Sequence, residues 1–472
     1  MHKHRRGPLN ARSSLNDGSR PAPRTFHRIA HKCFGQAAYG SQPGDGAAGW
    51  RARARQAGRC CYSGAPAVTY SDASIAGDIR DGAAPAPVVR ERTLANRQRV
   101  AVIASYSRSL TNFRLELLKR MVESGHSVTA LAPEDDEVVK AELARIGVRF
   151  IQIPMARAGL NPFGDFATLL SLWKNLREIA PDTIVPYTMK PIVYGGIAAR
   201  LAGVKDRCFL VTGLGHVFSD AGYASLKGKV VRKVSVLLYR LAFAGAKVVF
   251  VYNDADEADI RSHRMLKDNS LIKAIPGSGV DLEHYAHVPP PMDRPRFLLI
   301  ARLLKDKGIE EYVEAARRIK ARHPDAEFQL LGPFDPNPAA ISPAQIEAWV
   351  AEGVLNYLGE TRDVRPFLAG CNVFVLPSYY REGIPRSLLE AMATGRAVIT
   401  TNLPGCRDTV EEGVNGFSVE PRNPEALSQA MAKLADDLGL AGTMGERSRE
   451  LVRARFDVHQ VNRVLLERMQ LV

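Results

Sequence analysis

The sequence predicts an α/β protein of two Rossmann-like, doubly wound domains facing a cleft, preceded by a disordered basic leader. Three observations carry this. From Arg99 onward, short apolar runs alternate with segments of helical periodicity, the pattern of parallel strands covered on both faces by connecting helices. The alternation breaks at Ile275 to Asp281 and the cluster Pro289, Pro290 and Pro291, then restarts, so it belongs to two domains. The first hundred residues lack it, and they hold 17 Lys and Arg against 6 Asp and Glu, +11 of the chain's net +14.

That leader is rich in Arg, Ala, Gly, Pro and Ser and cannot bury a core, so residues 1–96 are expected to be disordered. It has neither the apolar h-region of a signal peptide nor the amphipathicity of a transit peptide. No methionine falls between Met1 and Met121, which a mis-called start, with a non-Met start near Arg97 to Val100, would explain. Basicity in the leader could serve nucleic acid or anionic lipid, but the remainder of the chain is only slightly basic, so no nucleic-acid partner is expected for the folded body.

In the first domain, residues 97–280, Arg99 to Ala104 reads as a strand, and Phe113, Leu117, Leu118 and Met121 repeat at helical spacing until Gly125. Strand Val128 to Leu131, helix Lys140 to Ile146, strand Phe150 to Ile153, helix Phe166 to Ile179 and strand Thr183 to Pro186 follow, with later strands at Cys208 to Thr212 and Lys247 to Val251. The first strand leads into Ser105, Tyr106, Ser107 and Arg108 without GxGxxG, so the dinucleotide fingerprint is missing. The second domain, residues 281–472, opens on strand Arg296 to Ala301. It continues with helix Ile309 to Arg322, strand Glu327 to Leu331, helix Pro343 to Gly353, strand Val354 to Leu358 and helix Val364 to Ala369. Strand Val373 to Ser378, a loop, a helix from Ser387 to Gly395 and strand Ala397 to Thr401 then form a βαβ unit. The last helix is free to pack back on the N-terminal domain.

The chemistry concentrates in that βαβ unit. Glu382 and Glu390 flank a loop that becomes a helix, at the carboxyl end of a strand, where open α/β sheets bind ligands. Alone they would be surface charges; here the free N–H groups of the helix start, with Arg386 beside them, suit a phosphate, and the carboxylates suit whatever hangs from it. Arg302 leaves the first strand of the same domain and Lys307 follows. A guanidinium there can grip a diphosphate with paired hydrogen bonds, and the ammonium adds a point charge. Of the chain's six cysteines, the three in the body, Cys208, Cys371 and Cys406, are widely spaced, with no CxxC pair and no His cluster, so neither a zinc site nor a disulfide framework is indicated.

From about Arg99 to Val472 the chain resembles the family-4 glycosyltransferases, retaining nucleotide-sugar enzymes of the GT-B fold. The likeness rests on Glu382-x7-Glu390, on Arg302 with Lys307 and Gly308, on the loop Gly277 to Asp281, and on Asp363-Val364 and Pro377-Ser378. Tyr380 to Glu390 and Pro404 to Arg407 are similar to the branch that extends undecaprenyl-diphosphate-linked glycans. The resemblance implies that Arg302 and Lys307 hold the nucleotide diphosphate, that Glu390 accepts hydrogen bonds from ribose, and that Glu382 contacts the donor sugar. Backbone near Leu388 and Leu389 would meet the phosphate, with Ser387 and Gly279 in the same donor site. The N-terminal domain would take the acceptor. His216 is its catalytic or substrate-contact candidate, with a structural loop histidine as the alternative, and Lys190 and Arg108 are acceptor-side candidates. The implied function is transfer of a hexosyl or N-acetylhexosaminyl unit from a UDP-sugar to a polyprenyl-diphosphate-linked saccharide, for surface polysaccharide or glycan synthesis. The enzyme would sit in the cytoplasm, peripheral on the inner face of the plasma membrane. UDP-sugar is then a substrate, and no cofactor or metal is expected. A soluble GT-B transferase with a small acceptor and a non-catalytic nucleotide-sugar-binding protein are the alternatives.

One helix bears on the membrane. Val230, Val234, Leu237, Leu238 and Leu241 cluster on one side of residues 227–241, with Lys229, Arg232, Lys233 and Arg240 largely elsewhere. Two readings fit this pattern, a contact with anionic lipid and a domain helix that packs its apolar face on the sheet.

Overall fold

Two parallel sheets organise the chain. The computed structural model describes residues 97–156, 161–215, 218, 226–337 and 339–472, which belong to one compact unit, Ala83–Val472. The first sheet contains β1 (Arg99–Ile103), β2 (Ser127–Ala132), β3 (Arg149–Gln152), β4 (Thr183–Pro186), β5 (Asp206–Val211), β6 (Val248–Val251) and β7 (Ile272–Ala274), in the order β3-β2-β1-β4-β5-β6-β7. The second contains β8 (Arg296–Ile300), β9 (Glu327–Leu331), β10 (Asn356–Tyr357), β11 (Val373–Leu376), β12 (Ala397–Thr401) and β13 (Gly416–Val419), in the order β10-β9-β8-β11-β12-β13. Every pairing among the named strands is parallel, as the continuous apolar runs require. In both sheets the order reverses beside the first strand, between β1 and β4 and between β8 and β11. Open α/β sheets bind ligands at the carboxyl ends of the strands beside such a point.

Helices α1 (Arg108–Glu123), α2 (Glu137–Arg145), α3 (Pro162–Ile179), α4 (Gly196–Leu201), α5 (Leu226–Phe243) and α6 (Asp254–Ser262) accompany the first sheet. The second carries α7 (Ile309–Lys320), α8 (Pro343–Ala351), α9 (Arg365–Ala369), α10 (Arg386–Thr394), α11 (Pro424–Asp436) and α12 (Leu438–Arg455). Several of these are absent from the sequence reading. α4 and the π-wound turn before it contain Gly195 and Gly196, which mask the helical period, and α6 is too polar to show one. The final helix, α13 (Val458–Met469), crosses to the N-terminal domain and packs on α1, where His126 Nε2 lies 2.6 Å from the Leu471 carbonyl.

One apolar cluster runs from β1 and α1 through Ile275, Val280 and Ile384 into β11 and α10, so the two domains share a core beneath their cleft. α5 resolves the two readings of its stripe. Val230, Val234, Leu237 and Leu241 face outward, 44% to 55% exposed, while Val236, Tyr239, Ala242 and Phe243 pack inward. The helix has a second apolar stripe, and the aromatic one goes to the sheet because Phe209 meets Phe243 edge-on at 5.1 Å. No helix among the described residues is long and apolar enough to cross a membrane.

Candidate active site

Most of the predicted donor residues lie in the segments that follow β8 and β11. Arg302 follows β8 and Glu382 follows β11, the two strands that flank the point where the order reverses. A single 3₁₀ turn, Lys305–Lys307, joins them: the Asp306 carbonyl accepts the N–H groups of Tyr379 and Tyr380 at 2.9 and 3.0 Å and the Ser378 hydroxyl at 3.2 Å. That lattice delivers Lys307 to Glu382, and the two side chains form an ion pair. Ser378 Oγ donates to the same carboxylate at 3.0 Å, and the Lys307 ammonium stands 4.7 Å from the centre of the Tyr380 ring. Arg302 is held by Asp335, Nη1 to Oδ2 2.7 Å, which leaves other guanidinium N–H groups for a ligand.

α10 begins one residue earlier than Ser387, at Arg386, because Pro385 with φ −64° pre-sets the first turn and serves as its N-cap. No side chain caps it. Leu388 and Leu389 are wholly buried, so any contact they make with a ligand is through backbone. The Leu389 N–H already closes the first helical bond, to the Pro385 carbonyl at 3.4 Å. Ser387 is partly exposed at the helix start. Glu390 is 8% exposed and accepts Arg386 Nε at 3.1 Å. Burial raises its pKa above the usual carboxylate value, while the Arg386 charge and a hydrogen bond with Tyr285 pull the other way. Arg386 also donates to the Gly279 carbonyl, which places Gly279 beside the helix start. Gly279 has φ +69°, and a Cβ there would lie 2.7 Å from Val458 Cα, so the glycine serves the junction with α13.

The acceptor-side candidates are less open. Lys190 is tied to Asp165 of α3 at 2.8 Å, with both side chains largely buried. Arg108, the first residue of α1, pairs with Asp136 at 3.0 Å, and Arg362 of the other domain reaches the same Asp136 at 3.5 Å. Arg108 and Arg362 line a cavity of about 620 Å³ that spans the two domains. His216 lies outside the described residues. Asp335 is a participant that sequence reasoning passed over, while Ser378 and Tyr380 entered only as parts of motifs, with no role of their own. Ser378 and Tyr380 stand beside the glutamate loop and were within reach of it, whereas nothing local marks Asp335.

Two family models match, "Glycosyl transferase 4-like domain" over residues 110–276 and "Glycosyl transferases group 1" over 294–437. The N,N'-diacetylbacillosaminyl-diphospho-undecaprenol alpha-1,3-N-acetylgalactosaminyltransferase of Campylobacter jejuni is 30% identical over 352 residues, 72% of this chain and 90% of its own. The chain belongs to the family-4 glycosyltransferases. This transferase is also 29% identical to the Escherichia coli UDP-Gal:alpha-D-GlcNAc-diphosphoundecaprenol alpha-1,3-galactosyltransferase, over 61% of this chain and 76% of that one. Its GT-B fold is shared with the sucrose-phosphate synthase of Thermosynechococcus elongatus, TM-score 0.65 at 21% identity, covering 79% of this chain and 98% of that one. Anabaena HepE, solved with UDP and glucose, aligns with TM-score 0.62 at 18% identity over 79% of this chain and all of its own.

Proposed function

We propose that this glycosyltransferase moves a hexosyl or N-acetylhexosaminyl unit from a UDP-sugar to a polyprenyl-diphosphate-linked saccharide, with retention of anomeric configuration. The observation that supports the donor half is the Lys307–Glu382 ion pair between the loops that follow β8 and β11, with Arg302 after β8 and the Arg386–Glu390 pair on the helix that follows β11. The acceptor half is supported by the two relatives above, both named for diphospho-undecaprenol substrates.

In this reading Arg302 and Lys307 take the leaving diphosphate, and its charge is met by cations that Asp335 and Glu382 already orient, so little reorganisation is left for the reaction. Lys307 is shared between Glu382 and the phosphate. Its pairing holds Glu382 beside the donor sugar, where a carboxylate favours the positive charge developing at the anomeric carbon. Glu390, paired with Arg386, accepts from ribose hydroxyls, and the uncapped start of α10 faces the phosphate. With two cations on the diphosphate, we expect chelation of divalent metal to leave the rate within about twofold.

A peripheral position on the membrane belongs to the same proposal. The outer stripe of α5 is flanked by the exposed Lys229, Lys233 and Arg240, a combination suited to an anionic lipid surface. The test is direct: purified protein and membrane-extracted lipid-linked saccharides are mixed with a panel of UDP-sugars, and the product is identified by mass. Transfer from one donor is expected; none from any donor sinks the proposal.

A further inference from the structure

The loop that carries Glu382 is held from the opposite domain. The carbonyls of Glu382 and Gly383 accept Asn253 Nδ2 at 3.1 and 3.5 Å, and Asn253 is the N-cap of α6, where its Oδ1 accepts the Asp256 N–H at 2.9 Å. Gly383 sits so close to the end of β5 that a Cβ would lie 2.3 Å from the Thr212 carbonyl. Arg381 projects the other way: Nη1 donates to the Phe218 carbonyl at 2.6 Å and stands 2.6 Å from Asp259 Oδ2, while Nη2 is 3.6 Å from Asp256 Oδ1.

Asp256 is 1% exposed, and its Oδ1 accepts the Leu214 N–H at 3.2 Å, so it ties the loop after β5 to the start of α6 as well. The groups that face it are Arg381 from the other domain, Asn253 and Asp259 at its own helix, and Tyr239 from α5. Burial pushes its carboxyl up to about 6, against the Leu214 N–H, the Arg381 charge and Asn253. A carboxylate so placed costs folding free energy whenever it is ionised, so stability does not explain it. What it achieves is geometry, because Arg381 and Glu382 are consecutive residues. Holding the guanidinium and the neighbouring carbonyls leaves the Glu382 side chain few directions.

We propose that Arg381, gripped by Asp256 and Asp259, is a positioning residue that sets Glu382 only when the two domains are docked, so that alignment of the donor sugar depends on interdomain closure. This rests on the donor-site reading above. Nucleotide binding should then depend less on docking than sugar alignment does, since Arg302, Lys307 and Glu390 all lie on the second domain and Arg381 touches none of them.

The test uses the full chain, with UDP affinity measured by calorimetry and transfer measured across pH. Arg381→Ala should lower kcat about tenfold or more, with UDP affinity held within about twofold and partial recovery in Arg381→Lys. Asp256→Asn should slow transfer at neutral pH and remove an acid limb near pH 6, without lowering the melting temperature. Asp259→Asn, partly exposed and easier to fold, should show a smaller loss of the same kind. Wild-type rates and pH profiles in Arg381→Ala and Asp259→Asn overturn the positioning role, as does UDP affinity that falls in step with kcat. A wild-type chain that neither binds UDP nor transfers sugar overturns the donor-site reading first, and the positioning role with it.

Discussion

At the scale of single residues, the two glutamates divide along their surroundings. Glu382 meets an ammonium and a hydroxyl at the crevice, whereas Glu390 is buried against Arg386. Replacing Glu382 by Gln keeps its shape and removes the charge. We expect transfer to fall about a hundredfold with modest change in UDP affinity, measured by separate kcat and binding assays. Glu390→Gln should instead weaken UDP, by roughly the 1.5–3 kcal/mol of a charged hydrogen bond, read by calorimetry. Because burial raises the Glu390 pKa, acidification should weaken UDP at a higher pH than an ordinary carboxylate would, and the Gln variant should lose that dependence. Stability runs in the opposite sense. A raised folded pKa means that this group's contribution to folding is complete below the unfolded value and is lost as pH rises through the folded one, so Glu390→Gln should not destabilise the free protein at neutral pH.

Among the elements, α10 and α5 take different parts in the proposed function. α10 is anchored by core side chains and turns its start toward the crevice, so the burial of Leu388 and Leu389 is what aims the helix. Leu388→Ala should cost about 2–5 kcal/mol in chemical denaturation, and activity should fall with it. α5 has two apolar stripes, of which the sheet covers one. Changing Val234 and Leu237 together to Glu adds charge to the uncovered one. Sedimentation with vesicles containing anionic lipid should show binding reduced at least about tenfold, while the folded fraction by circular dichroism stays unchanged. Equal vesicle binding by this double variant would remove α5 from the membrane contact. The strand runs β4, β9 and β12 were legible to the residue, because a short, largely apolar run between turn signals has few other uses. β13 and α6 were not, since the one is short and half polar and the other has Asp254, Asp256, Glu257 and Asp259 within two turns.

For the whole molecule, the shared core and the returning α13 make the two domains interdependent. Leu465, Leu466, Met469 and Leu471 are buried at or beyond the end of the chain's last crossing. Ending the chain at Asp457 should therefore lower stability by several kcal/mol, from roughly 1.5–3 kcal/mol per large apolar side chain uncovered, seen as a lower melting temperature. A chain that starts at Arg97 should transfer sugar at the full rate, since the described strands and helices, the proposed donor residues and the family matches all lie downstream. Sequence by itself determined the two-domain α/β class and singled out Arg302, Lys307, Glu382 and Glu390 as donor-site candidates, because apolar period and charged motifs are local and survive in one dimension. Only the tertiary structure decided which stripe of α5 faces outward, that Asp335 holds Arg302, and that Arg381 is gripped from the other domain. Those facts depend on contacts between residues far apart in the chain, such as Asp256 and Arg381, and a local pattern carries no record of which distant surface will meet it.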